Sequence, residues 1–276
     1  MPLVEKKFID IEALFRDKNP KLLKFLPRFV LRYLKRIIHQ DQVNDFMAKN
    51  HDKMGVDFCR EILKEFNITV KVIGAEHIPA SGGYIVAANH PLGGLDAIAA
   101  VTEVARIRQD MVFIVNDLLL NLNNLKTLFT GVNKHGKNAV ESLQKVDELF
   151  ASDKMVFVFP AGLVSRKRNG VIRDLEWKKT FITRARKYHK PILPLYIEGN
   201  LSNFFYRLSN IRTALGIKAN IEMLYLADEM YKQKNQTITL IFDPAVTADT
   251  FDRTKSDTEW AGWMKEKVYK LQTKTK

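Results

Sequence analysis

The sequence predicts an α/β domain whose sheet is mostly parallel and covered by helices on both faces, preceded by an amino-terminal helical hairpin. Three observations predict it. After Asn67, short apolar and β-branched runs alternate with helical stretches. Those runs are nearly continuous in apolar residues, as strands buried on both faces are. Before Asn67 the apolar residues recur instead at helical spacing. The chain is therefore expected to divide into a basic amphipathic helical segment, 1–66, and an α/β domain, 67–276.

In the first segment, Leu22, Phe25, Leu26, Phe29, Leu31, Tyr33, Leu34, Ile37 and Ile38 interleave with basic residues. Lys21, Lys24, Arg28, Arg32 and Lys35 are spaced by threes and fours and so share one helical face. Pro20 suits a helix start, and Pro27 should divide the helix. A basic face opposite a Leu/Phe/Ile face is the pattern of a helix lying in a membrane interface. A helix packed on the domain with its lysines in solvent is the alternative. Residues 43–66 read as the second helix of the hairpin. Strands are expected at 68–73, 84–88, 111–115, 155–159, 192–197 and 236–242, where β-branched or apolar runs meet turn residues such as Gly74 and Ser81-Gly82-Gly83. Helices are expected at about 95–107, 137–151, 176–188 and 256–271. In such a sheet, ligands bind beyond the carboxyl ends of the strands.

Composition narrows the class. With 276 residues, 46% hydrophobic and 27% charged, the chain is neither collagen-like nor disordered. Cys59 is the single cysteine, so no intrachain disulfide forms. The start leads into no apolar signal region and no run approaches 18 apolar residues, so an intracellular, soluble chain is expected. The net charge of +13 is concentrated. Residues 1–36 hold ten Lys/Arg against four Asp/Glu, and residues 166–190 hold ten against two. Two basic segments on a neutral body suit a nucleic acid, an anionic membrane or a phosphorylated substrate, unless they only solvate helical faces.

The chemistry-bearing stretch follows the second strand: Asn89-His90-Pro91-Leu92-Gly93-Gly94-Leu95-Asp96, then a helix. Near a helix amino terminus the dipole favours an ionised Asp96. Bonded to one ring nitrogen, it would hold His90 in the tautomer whose other nitrogen accepts a proton. Gly93 and Gly94 would offer backbone N–H groups to an oxyanion, with Asn89 as a positioning residue. No Ser, Thr or Cys lies nearby to act as nucleophile, so the substrate itself would bring the hydroxyl. A structural hydrogen bond is the plainer role for one histidine.

These residues come in an ordered set. The Asn-His…Asp block, Thr130-Gly131-Val132-Asn133-Lys134, Phe159-Pro160-Ala161-Gly162-Leu163-Val164-Ser165-Arg166 and Lys190-Pro191-Ile192-Leu193-Pro194-Leu195-Tyr196 follow one another across about 110 residues. The set resembles the glycerolipid acyltransferase superfamily, the lysophosphatidate-type acyltransferases. It departs in three places. Five residues, not four, separate His90 from Asp96, and the Gly93-Gly94 pair would absorb the extra one as a bulge. Ala161 stands where the family carries glutamate, and the second block lacks its arginine, for which Lys134 or Lys137 would stand in. The Asn-His-Pro start and Phe-Pro-Ala-Gly block are similar to bacterial acyltransferases that finish ornithine or glycine lipids.

The resemblance implies acyl transfer from an acyl carrier protein or coenzyme A thioester to a lysolipid hydroxyl, with His90 as base and Asp96 orienting it. No metal or cofactor is expected; His39, His51, His77, His90, His135 and His189 form no ligand-spaced cluster. Gly162, Ser165, Arg166, Lys167, Arg168 and Arg173 would bind acceptor or donor, arginines gripping phosphate or carboxylate by two bonds. The expected setting is peripheral, on the cytoplasmic face of the cell membrane, with an anionic bilayer as partner and no nucleic acid. A plain lysophosphatidate enzyme, a catalytically dead lipid-binding relative and a nucleic-acid-binding protein are the other readings.

Overall fold

The computed structural model describes residues 7–18, 20–115, 122–131 and 139–275. Along the chain come α1 (Ile11–Lys18), α2 (Pro20–Phe25), α3 (Arg28–Ile37), α4 (Gln40–Lys49), α5 (Gly55–Glu65), β1 (Thr69–Ile73), β2 (Tyr84–Ala88), α6 (Gly94–Val104), β3 (Met111–Val115), β4 (Phe129–Gly131), α7 (Ala139–Ala151), β5 (Met155–Val158), β6 (Arg166–Arg168), β7 (Val171–Arg173), α8 (Thr180–Tyr188), β8 (Ile192–Ile197), α9 (Asn203–Ala214), α10 (Leu226–Tyr231), β9 (Thr237–Phe242) and α11 (Asp257–Lys270). They fall into two compact units, residues 1–53 with 202–232 and residues 54–201 with 233–276.

The second unit is built on a seven-stranded sheet of order β1-β9-β8-β2-β5-β3-β4. Every neighbouring pair is parallel except β8 with β9. This is the mostly parallel α/β sheet expected from the apolar runs. Because side chains alternate across a strand, Ile85, Val156, Ile192 and Ile241 face one layer, where α7, α8 and α11 supply Phe150, Ile182, Trp260 and Met264. The other face is covered by α6, which also packs on α5. Residues 54–66, grouped by sequence with the amino-terminal helices, therefore form a helix of this unit. The three-residue strand β4 and the antiparallel hairpin β6–β7 add elements that the apolar pattern does not announce. Strand β2 lies centrally, between β8 and β5, and its carboxyl end delivers His90.

The first unit is helical. Pro27 stands at the amino cap of α3 and divides it from α2, as its missing N–H requires. Ile37 is buried and Leu34 half-buried, whereas Phe25, Phe29 and Tyr33, one turn apart in succession, are exposed. Lys21, Lys24, Arg28 and Arg32 are exposed as the spacing predicts, but Lys35 is drawn aside to Glu12, 2.6 Å away. Helices α9 and α10, not expected from the sequence, complete the unit. His39 bonds Asp228 on α10 at 3.0 Å and stacks on Tyr231. No helix among the described residues is long and apolar enough to cross a membrane.

Candidate active site

Pairing between β2 and β8 stops at Ala88 and Leu195, and the next residue, Asn89, continues it with its side chain. The Asn89 amide donates to Ile197 O at 2.8 Å and its Oδ1 accepts from Ile197 N–H at 2.7 Å. At 2% exposure, Asn89 clamps the strand end. Both ends of its amide are used by backbone, so Asn89 acts by holding the strand end that carries His90.

The following turn brings His90 and Asp96 together. Gly93 has φ +74°, a conformation open to glycine and costly for other residues. That bend turns the Leu92 and Gly93 N–H groups onto the Asp96 carboxylate, at 3.0 and 3.1 Å. His90 Nδ1 lies 2.8 Å from the same carboxylate, so the five-residue spacing keeps the contact. The network assigns the hydrogen to Nδ1 and leaves Nε2 with a lone pair. Asp96 is fully buried, and burial pushes its carboxyl up, opposed by the hydrogen bond from His90 and by the charge interaction with that ring. The His90 ring is partly exposed and stacks on Phe159, centroids 4.2 Å apart. Gly93 N–H is thus spent on Asp96 rather than offered to an oxyanion, a correction to the expected pair. Gly94 opens α6, so its N–H is one of the first-turn donors a helix leaves unused.

A second loop locks the first. Ser165 N–H donates to His90 O at 2.8 Å. Ser165 Oγ donates to Asp174 Oδ1 at 2.6 Å, and His90 N–H reaches the same oxygen at 3.2 Å. Trp177 Nε1 donates to Asp174 Oδ2 at 2.9 Å. Asp174 is buried and ties both loops to the approach of α8. Sequence reasoning missed Asp174 and Trp177; the available signal was an acid, three residues before tryptophan, inside a basic run. Gly162 turns at φ +69°, where a Cβ would also sit 3.2 Å from Lys178 Nζ. Ala161 is buried in the main core, so its side chain packs with apolar neighbours.

The basic residues disperse. Arg166 is buried and its Nη1 donates to Val164 O at 2.6 Å, so it braces its own loop instead of presenting a free fork to a head group. Arg173 donates from Nη2 to both carboxylate oxygens of Glu266, at 3.0 and 2.9 Å, and its guanidinium lies over the Tyr269 ring. Lys167 is half-buried and Arg168 exposed. Lys134 and Lys137 lie outside the described residues. A cleft of about 470 Å³ opens beside the two loops, lined by Asn89, Ser165, Arg173, Tyr196, Tyr269 and Lys270 among others. The arrangement as a whole holds an imidazole at a strand end, with Nδ1 on a buried carboxylate and Nε2 on the opposite side of the ring.

Known proteins resemble this chain closely. The family model described as Acyltransferase matches residues 13–275. A lyso-glycine lipid O-acyltransferase of Bacteroides thetaiotaomicron is 45% identical over 264 residues, covering 95% of this chain and 97% of that protein. The protein of the same name from Phocaeicola vulgatus is 44% identical, covering 95% of each. Among solved structures, a 1-acyl-sn-glycerophosphate (LPA) acyltransferase of Thermotoga maritima aligns at TM-score 0.49 and 20% identity, over 78% of this chain and 80% of that one. With a family model spanning nearly its whole length, and relatives of this similarity, the chain belongs to the acyltransferase family.

Proposed function

We propose that this acyltransferase moves a fatty acyl group from an acyl carrier protein or coenzyme A thioester to the hydroxyl of a lyso-glycine lipid. The reading is carried by the near full-length 45% identity to an enzyme of that name. The His90–Asp96 pair supports it with a base of the right kind.

In this reading the acceptor hydroxyl sits against His90 Nε2. As its oxygen bonds to the thioester carbonyl carbon, Nε2 takes the proton, and Asp96 steadies the resulting imidazolium. Negative charge on the former carbonyl oxygen faces the Gly94 N–H and the positive end of α6. Collapse of the tetrahedral intermediate breaks the C–S bond. The thiolate leaves with the proton from Nε2, and the products are an ester and a free thiol. No cofactor enters this balance. The buried, neutral Ala161 suits an acceptor that carries one carboxylate rather than a phosphate beside the reacting hydroxyl.

The enzyme would work as a peripheral protein on an anionic, cytoplasmic-face membrane surface. Exposed Phe25 and Phe29 flanked by exposed Arg28 and Arg32 support that setting. The test is mass-spectrometric detection of glycine lipid made by purified protein from lyso-glycine lipid and an acyl-carrier donor. His90→Ala should lower turnover by ~10²–10⁴; turnover equal to wild type would overturn the assignment of the base.

A further inference from the structure

Exposed apolar side chains are unevenly shared. Among the described residues, most of the large exposed ones belong to the unit of residues 1–53 and 202–232, which holds under a third of the chain. Phe25, Phe29 and Tyr33 are one group. A second group, without precedent in the amphipathic pattern, is Phe204, Ile211, Leu215, Ile217 and Leu224. Every residue from Thr213 to Asn220 is exposed, and Leu215 is 69% so. The charged residues exposed between 203 and 224 are Arg207 and Lys218. The acid of this stretch, Glu222, is buried with its Oε2 2.8 Å from Arg212 Nε. The two groups are joined: Tyr33 and Tyr225 share a 2.6 Å hydrogen bond between hydroxyls, and Phe204 packs edge-on against Tyr225.

We propose that residues 203–224 are a second lipid-docking element, entering the interface of an anionic bilayer together with residues 20–38. The proposal rests on the membrane reading given above. Aliphatic side chains flanked by lysine and arginine, with the acid withdrawn, complement an apolar layer beneath anionic head groups. A two-fold interface between copies would instead set this patch against itself, Lys218 and the Arg28–Arg32 face meeting like charge. An acidic carrier protein would meet aliphatic side chains at the patch centre, where charged contact is wanted.

The test uses full-length protein and vesicles of phosphatidylglycerol and phosphatidylethanolamine. Leu215→Ser with Leu224→Ser should lower the vesicle partition coefficient at least about tenfold, since each leucine withdraws apolar area from water, with the melting temperature unchanged. Because Cys59 is buried and its thiol is pushed up to about 12 by that burial, a label on Leu215→Cys is selective. An environment-sensitive fluorophore there should shift to the blue on vesicles, while the same label on Lys154→Cys should not. If wild type fails to bind vesicles, the membrane reading falls and this element with it. If wild type binds, Phe25→Ser with Phe29→Ser abolishes binding, and the Leu215/Leu224 variant binds normally, the second element alone is refuted. Conversion of a wild-type dimer to monomer by the Leu215/Leu224 changes would also overturn it.

Discussion

The two basic segments look alike in sequence and face different things in the fold. Residues 1–36 and 166–190 each hold ten Lys and Arg. In the first, Lys21, Lys24, Arg28, Arg32 and Arg36 stand exposed next to exposed aromatic rings. In the second, Arg184 and Lys187 pair with Asp147, Arg186 with Asp257, Lys190 with Asp153 and Arg173 with Glu266. The counter-charges come from α7, the turn after it and α11, far away in sequence. A charge count therefore measures neither surface potential nor affinity. One segment leaves most of its charge exposed, and the other holds half of it in ion pairs.

The largest expected effect separates chemistry from binding. Asp96→Asn should lower turnover by ~10²–10⁴, because an amide can hold the wrong tautomer of His90. Vesicle co-sedimentation should be unchanged. Retained activity would reduce Asp96 to a helix cap.

Next in size is the buried hub inside the second segment. Asp174→Ala removes the acceptor for His90 N–H, Ser165 Oγ and Trp177 Nε1. At ~1.5–3 kcal/mol for each hydrogen bond to a charged group, partly offset by relaxation, urea unfolding should show a loss of about 3 kcal/mol. Acyl transfer should fall with it, whereas a surface ion-pair variant of the same segment would not do this.

Smaller effects distinguish the exposed charges from the paired ones. Arg28→Ala and Arg32→Ala should each weaken binding to anionic vesicles by ~1 kcal/mol, with the difference shrinking at high salt. Arg186→Ala should leave vesicle binding alone and cost roughly 0.5 kcal/mol of stability. Equal effects of both on vesicles would erase the contrast.

The paired segment also carries a pH signature. The hydrogen bond from Lys187 holds the Asp147 carboxyl below its ordinary range, and Thr183 and Arg186 do the same for Asp257 against its burial. A carboxyl depressed in the fold stabilises it above the unfolded value and loses that contribution as pH falls through the folded value. The melting temperature should therefore drop as pH is lowered below about 4, and less steeply in Asp147→Asn.

Much of the sheet was legible because β2, β5 and β8 are covered on both faces and read as unbroken apolar runs. The His90–Asp96 pair was legible because both partners lie on one turn, and Gly93 supplied the bend that absorbs the extra residue. What escaped depends on distant partners. Asn89 repeats the shape of a peptide group against Ile197, 108 positions on, and nothing local distinguishes that from a site residue. Asp174 gathers donors from three places in the chain. The β6–β7 hairpin begins Arg-Lys-Arg, a composition that reads as solvated loop until Val171 to Arg173 pair with it. Helix α9 buries Phe205 and Tyr206 and exposes Phe204 and Ile211, so no single apolar stripe announced it.

Deprotonation of a lyso-glycine lipid hydroxyl by His90 is the step on which the proposed function turns. Its most direct test is a competition in which purified wild-type protein, one acyl-carrier donor, and equal amounts of lyso-glycine lipid and lysophosphatidate are followed by mass spectrometry, with His90→Ala run alongside. Lyso-glycine lipid should be acylated first, and both products should vanish in His90→Ala. Consumption of lysophosphatidate first would contradict the acceptor, and product formation by His90→Ala at the wild-type rate would contradict the base.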